Sequence, residues 1–451
     1  MKKYSLWVCA LLMSGYLAVT VLGGKWKKHT VIKSDAAGYY VYLTSFFVYN
    51  DPLKCRFYGQ ADSTYNFADG VFYYGVQYHP ITQNFYFKYN YGVALLEAPF
   101  FFTAHAATLF CGEYPADGYS DYYQLSIALC TAVYAFLGLL IVRLFLLSYF
   151  TEAVVAVTLF VIGAGTNLFA QIVTQPGLSH VFMFFLFAVM LYASQRLYSV
   201  FTLKWFFVIG LAIGLTIVVR PIDIFVIVFP LIWLGRKYAK HVKAKPSSCI
   251  YLIVSLCPVF ILVFFQLLYW KYTTDHWYFY TYKREYFDFY NWQIVNGLFS
   301  FRKGWLIYTP LALLGFAGCF PLWKKKHLRI YLTSFVIYFS LTLYITFCWW
   351  QWYYGGSFGS RVMVESYALL ALPIGALFED IFAAKKSIKV ITLFLTGLLI
   401  LFNLFQTAQY AKGVIHWQKM NREYYWRIFG KWNVSNEDKR LLLKTEEIKQ
   451  P

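Results

Sequence analysis

The chain reads as an all-α polytopic membrane protein, on three observations. Of its 451 residues 60% are apolar and 14% charged, where a soluble domain carries about 45–50% and roughly 25%. The excess is gathered into nearly uncharged blocks at 123–142, 153–170, 181–193, 205–219, 250–269, 330–348 and 390–405, and about 18 such residues match a bilayer's hydrocarbon core. Lys and Arg, 40 against 21 acidic residues for a net charge of +19, cluster between the blocks as cytoplasmic loops require. The basic balance therefore reports topology and implies no nucleic-acid partner. A soluble enzyme, a disordered chain and a secreted disulfide scaffold are excluded. The eight Cys show no CxxC or Cys/His ligand spacing, and only Cys55 and Cys111 suggest a pairing.

Residues 1–23 form the first helix. Lys2 and Lys3 precede an apolar run from Tyr4 to Leu22 with no small-x-small cleavage site, so the helix is uncleaved and its N-terminus cytoplasmic. Residues 24–91 are polar, aromatic and without a span, too long for a connector. They are expected to fold on the outer face, with short amphipathic helices such as 36–49 lying in the interface. Residues 92–407 form the helical domain, with helices at roughly 92–111, 122–142, 151–171, 178–195, 204–219, 222–235, 249–270, 305–323, 330–348, 363–380 and 388–407. Basic connectors from Arg236 to Lys245, Lys324 to Arg329 and Lys385 to Lys389 read as cytoplasmic, which puts loops 271–304 and 349–362 outside. Residues 408–451, rich in Trp, Tyr, Lys and Arg, read as a surface helix, also outside. Twelve helices from an inside N-terminus return the tail inside, so the parity conflicts and 11 to 13 spans are expected.

Four groups carry chemistry. The run Ser34-Asp35-Ala36-Ala37-Gly38-Tyr39-Tyr40 offers a carboxylate at the membrane edge and two rings for a sugar or lipid. The plainer alternative is a helix cap from Ser34 or Asp35. Lys88, where the loop enters a helix, either holds a phosphate as a point charge or snorkels. Glu97 and His105 within that helix face a cavity or pair with polar neighbours. His180 is a ligand, a base or a structural hydrogen-bonder, and Arg220 with Asp223 forms a membrane-edge group or simply an ion pair. Lys283-Arg284-Glu285-Tyr286 and Phe301-Arg302-Lys303-Gly304-Trp305 occupy one outer loop. The other runs from Trp349 to Arg361 with Trp352, Gly355, Gly356 and Gly359. Interfacial aromatics are ordinary, but glycines that admit close backbone approach, followed by an Arg fork, suit a pocket for an anionic lipid and a sugar.

In order, these pieces resemble the GT-C glycosyltransferases, in the branch of the protein O-mannosyltransferases and lipid A aminoarabinose transferases. SDAAGYY, KYNYGVALLEAPFF, QPGLSHVF, FRKGWLIYTP and WYYGGSFGSR are similar to segments of bacterial members and are scattered over positions 34 to 361. The resemblance implies an enzyme of the bacterial cytoplasmic membrane with its site on the extracytoplasmic face. It would move a sugar from a polyprenyl-phosphate-linked donor to an envelope glycan, lipid or protein. The family's first-loop Asp falls on Asp35, its donor-phosphate Lys on Lys88, and the Arg closing its glycine-rich loop on Arg361. His180, Arg302, Lys303, Tyr39, Tyr40 and Trp352 complete the expected substrate contacts. The branch often has Asp-Glu where this chain has Asp35-Ala36, so a second carboxylate would come from Asp51 or Asp69, and a divalent metal would draw on Asp35 and Asp51.

In inverting transfer an acceptor hydroxyl or amine attacks the anomeric carbon while the lipid phosphate departs. Asp35 is the expected general base, and cations stabilise the leaving phosphate. Lys88 and Arg361 are accordingly expected to approach each other, with Arg302 and Lys303 as the replacements. The alternatives are a secondary transporter, which Gly/Pro-broken helices in repeated halves would favour, and a non-catalytic export or assembly component. No internal repeat is evident in the sequence.

Overall fold

The computed structural model describes residues 3–68, 70, 74–244 and 249–444, with side chains except at 236 and 241–244. Lys2, Asp69 and Lys245 lie outside the described residues. Helix α1 (Tyr4–Leu22) leads into a first loop with α2 (Asp35–Phe47), α3 (Tyr58–Tyr65) and an antiparallel hairpin of β1 (Val76–His79) and β2 (Asn84–Phe87). Then follow α4 (Gly92–Cys111), α5 (Asp121–Leu146), α6 (Glu152–Gly165), α7 (Asn167–Thr174), α8 (Ser179–Ser199) and α9 (Leu203–Val219). A 3-10 stretch, Pro221–Ile227, opens α10 (Val228–Ala244), and α11 (Cys249–Thr274) follows. After a long loop with α12 (Ile294–Phe299) come α13 (Trp305–Tyr308), α14 (Leu313–Lys324), α15 (Arg329–Phe347), α16 (Tyr367–Ala383) and α17 (Lys386–Ala411). Among the described residues the tail holds α18 (Arg422–Arg427) and α19 (Asn436–Lys439).

All twelve apolar segments expected from the sequence are helical, and the chain is a multi-pass membrane protein. Among the described residues seven helices are long and apolar enough to cross a membrane, or eight if α6 and α7, bent by 51°, count as one span. That is fewer than the 11 to 13 expected. The physical reason is fragmentation: Leu203–Val219, Pro221–Gly235 and Pro310–Lys324 are apolar but short, and at 1.5 Å per residue such pieces fall short of about 30 Å.

Contacts sort the helix ends into two groups. At one end the Ser5 amide donates to Glu152 at 3.0 Å while Arg143 pairs with Glu152 at 2.8 Å, tying the start of α1 to the α5–α6 turn. Gln195 donates to the Phe145 carbonyl there, and Lys325 pairs with Glu379. Residues 236–244, expected as a connector, are the last turns of α10, where Lys237 donates to the Tyr198 carbonyl at this end; the basic connectors after α14 and α16 belong to it too. At the other end Lys25 donates to the Thr174 carbonyl, Thr82 to the Thr273 carbonyl at 2.8 Å, and Arg361 to Asp35 at 2.7 Å.

Helix α4 is the exception, because both its ends lie at the Asp35 end. It begins beside Tyr89, and the loop after it returns to the first loop through Tyr40–Gly118, Thr44–Tyr119 and Tyr65–Asp117 contacts. Among the described residues eleven helical legs run from one end to the other, several of them too short or too broken to count as spans by length: α1, α5, α6–α7, α8, α9, α10, α11, α13–α14, α15, α16 and α17. An odd count of legs leaves the tail at the end opposite the N-terminus.

Lipid tails are as apolar as leucine, so legs associate by close packing rather than by hydrophobic exclusion. Helix α8 buries 15 of its 21 residues. Gly318 shows how close α14 and α16 come, since a Cβ there would stand 1.9 Å from the Pro373 carbonyl oxygen.

Two expectations for the polar segments are corrected. Ten of the thirteen residues of α2 are buried, so it is an apolar-all-round core helix of the loop rather than an interfacial one. The tail is no surface helix either: Val414, Ile415, Met420, Tyr424, Tyr425 and Ile428 pack with Tyr308 and Phe358 as a cap at the Asp35 end. Cys55 and Cys111 are both free thiols.

Candidate functional site

Ser34 sits at the N-cap position of α2 with φ 52° and ψ −124°, and its side chain makes no capping bond. Such backbone costs about 1–3 kcal/mol in a non-glycine residue and concentrates at functional positions. The cap alternative also fails for Asp35, whose carboxylate is otherwise engaged. Tyr74 and Tyr89 donate their hydroxyls to Oδ1 at 2.5 and 2.7 Å, and Arg361 donates to Oδ2 at 2.7 Å. Burial alone would push this carboxyl up, but the Arg361 charge and the three hydrogen bonds outweigh it and hold the group at about 2. Asp35 is therefore ionised at neutral pH. The hairpin delivers two of these partners, because its β1 entry holds Tyr74, its β2 exit holds Tyr89, and the Lys88 amide donates to the Gly75 carbonyl at 2.8 Å. Gly38 makes room for the ring: a Cβ there would lie 2.6 Å from Tyr89 Cε2.

Lys88 is the next residue out. Its ammonium pairs with Glu285 at 2.5 Å and lies 5.5 and 5.1 Å from the Tyr89 and Tyr282 ring centres. Lys88 and Arg361 thus each adjoin the Asp35–Tyr89 pair, and each is neutralised by a carboxylate.

A second cluster adjoins the first through Tyr39, whose ring packs at a 31° tilt against Tyr89 with centres 4.3 Å apart and whose hydroxyl donates to Ser179 at 3.4 Å. His180 Nδ1 accepts from Arg220 at 2.7 Å and lies 3.2 Å from Glu365, and Arg220 pairs with Asp223 at 3.2 Å and Glu365 at 3.4 Å. The expected Arg220–Asp223 ion pair is present. Glu365 and Tyr74 were not singled out in the sequence. A lone carboxylate ahead of the apolar run 367–378 was the signal for Glu365; nothing marked Tyr74 among the loop's many tyrosines.

The glycine-rich loop is braced from behind. Asn167, at the α6–α7 break, donates to the Ser360 carbonyl at 2.9 Å, and Gln175 donates to the Gly356 carbonyl at 2.7 Å. Arg302 and Lys303 lie on this loop's tail side, where Lys303 donates to the Ser357 and Trp417 carbonyls. Burial, then the nearby Arg361 and Arg302 charges, push the Lys303 ammonium well down from its ordinary value.

Tyr40, Trp352 and Asp51 are engaged elsewhere. Tyr40 points its hydroxyl to the Gly118 carbonyl and serves loop packing. Trp352 is buried in the main core against Tyr353. Asp51 is spent on its own turn, accepting from the Lys54 and Arg56 amides and the Arg56 side chain. The Asp35–Asp51 metal pair is therefore not formed, and no group of three metal-ligating side chains occurs among the described residues. His105 pairs with Tyr123 at 2.5 Å, while buried Glu97 has no hydrogen-bond partner for either oxygen.

Comparison of the chain with protein-family models, with curated proteins and with solved structures finds no match.

Proposed function

We propose that this chain is an integral-membrane glycosyltransferase using a polyprenyl-phosphate-linked sugar, with Asp35 as general base. One observation carries the reading: Asp35, Lys88–Tyr89 and Arg361 come from three separate segments and converge on one spot. These are the positions to which the GT-C resemblance gives the base and the donor-phosphate contacts.

The arrangement suggests how binding and basicity are linked. Arg361 spends one nitrogen on Asp35, and its buried Nε has no partner. A donor phosphate takes that Nε and competes with Asp35 for the guanidinium. As the charge is drawn away, the Asp35 carboxyl rises from about 2 and becomes a better base. The acceptor O–H or N–H then gives its proton to Asp35 as its heteroatom bonds the anomeric carbon. The bond from that carbon to phosphate oxygen breaks, and the configuration inverts. Arg361 and Lys88 hold the phosphate's growing charge.

The test is lipid analysis followed by turnover. Polyprenyl phosphate co-purifying with the wild type, and its release from a polyprenyl-phosphate sugar by wild type but not Asp35→Asn, supports the reading. Wild type without bound prenyl lipid and without release, across a panel of such donors, refutes it. Transport is the second reading, favoured by the 51° break between α6 and α7. Substrate counterflow in proteoliposomes, indifferent to Asp35→Asn, would establish it.

A further inference from the structure

The site's cations divide into two kinds. Lys88, Arg220 and Arg361 each face a carboxylate. Arg302 and Lys303, 8% and 2% exposed, pair with none among the described residues. Lys303 is held by two backbone carbonyls, of Ser357 and Trp417. Arg302 lies flat on the Tyr353 ring, its guanidinium carbon 3.4 Å from the centre, and its Nε reaches the Gln418 carbonyl at only 3.4 Å. Its buried Nη2 has no hydrogen-bond partner. A buried charge normally carries a counter-ion as well as its hydrogen bonds; here no carboxylate faces either cation among the described residues, and one Arg302 nitrogen is unsatisfied.

The geometry points to an anion site built by Arg302 and Lys303 beneath residues 416–418, taking a phosphate group separate from the one placed between Lys88 and Arg361. Arg302's planar fork, with a free Nη2, suits two phosphate oxygens. The stacked Tyr353 fixes the fork's plane. The carbonyls of Trp417 and Gln418 are weak, neutral partners that a charged oxygen displaces. Direct binding reads this site, so it stands or falls independently of sugar transfer.

The full chain is placed in phosphatidylcholine nanodiscs and titrated by calorimetry with inorganic phosphate and with citronellyl phosphate, at constant ionic strength. Wild type is expected to bind, and Arg302→Gln and Lys303→Met each to weaken binding by about tenfold or more, the loss of a charged hydrogen bond. Arg302→Lys should lose less than Arg302→Gln. Tighter binding of citronellyl phosphate assigns a lipid headgroup, and equal binding assigns a free phosphate; both support the site. Where Lys303→Met does not fold, Arg302→Gln, which keeps amide donors on a similar stem, carries the test. No binding of either probe to wild type, or binding unchanged in the folded variants, overturns the inference.

Discussion

Asp35 and Arg361 lie 326 positions apart and meet at 2.7 Å. The contact joins the first loop to the loop between α15 and α16, so the carboxylate and its cation are brought together from distant parts of the sequence. Their pairing needs the whole bundle, and it makes the electrostatics of the site measurable.

Asp35→Asn keeps the carboxamide's size and its acceptor oxygen for Tyr74 and Tyr89 but removes basicity. Transfer should fall by about 10²–10⁴, while donor binding and expression persist. Activity within about threefold of wild type, measured as release of polyprenyl phosphate, would remove Asp35 from the mechanism, since general-base assistance is worth more than that.

The same carboxylate predicts a pH signature. Held at about 2 against an ordinary 3.8, Asp35 contributes on the order of 2 kcal/mol above pH 4, lost as pH falls through the folded value. In Arg361→Met burial loses its main counterweight and the carboxyl rises. The stability lost on acidification then shrinks, because the folded value moves toward the unfolded one. Thermal midpoints in detergent from pH 2 to 6 should diverge accordingly, and parallel curves would mean the pair is not what holds Asp35.

Lys88 and Glu285 form a part-buried pair at 2.5 Å. If Lys88 serves the donor phosphate, Glu285 competes for it. Lys88→Met should weaken donor binding by about 1.5–3 kcal/mol, whereas Glu285→Gln should leave it equal or tighter. Equal losses in both would make the pair purely structural.

The two-ended arrangement predicts labelling. Native Cys111, the last residue of α4, is exposed, and it should react with an impermeant maleimide from the same side as Asp275→Cys. Lys326→Cys and Lys240→Cys, beside basic connectors, should react only from the other side. Labelling of Cys111 together with Lys326→Cys would make α4 a crossing leg.

Much of this was legible in the sequence because a membrane leg announces itself by composition alone. All twelve apolar blocks are helical, and the basic connectors fall together. Asp35, Lys88, His180 and Arg361 were legible because charged residues at membrane edges are few. What escaped were matters of tertiary placement. Composition makes α4 as good a span as any, yet its loop contacts hold both ends together. The β1–β2 hairpin, four residues to each strand, is too short for a periodic signal. Partners such as Tyr74 and Glu365 are chosen by geometry, and Asp51, equally plausible on paper, is consumed by a local turn.

The cap formed by residues 414–428 has a bearing on biogenesis. These residues follow α17, so they leave the ribosome only after every leg has been synthesised. They carry Lys419, Arg422 and Arg427, and the odd number of legs sends them away from the basic connectors, against the usual charge preference in membrane insertion. The roof over Arg302 and Lys303 is consequently the last part to arrive and the hardest to translocate. A nascent chain whose early loops are already folded still presents that pair uncovered. Completion of the cap is thereby coupled to successful insertion of the final helix.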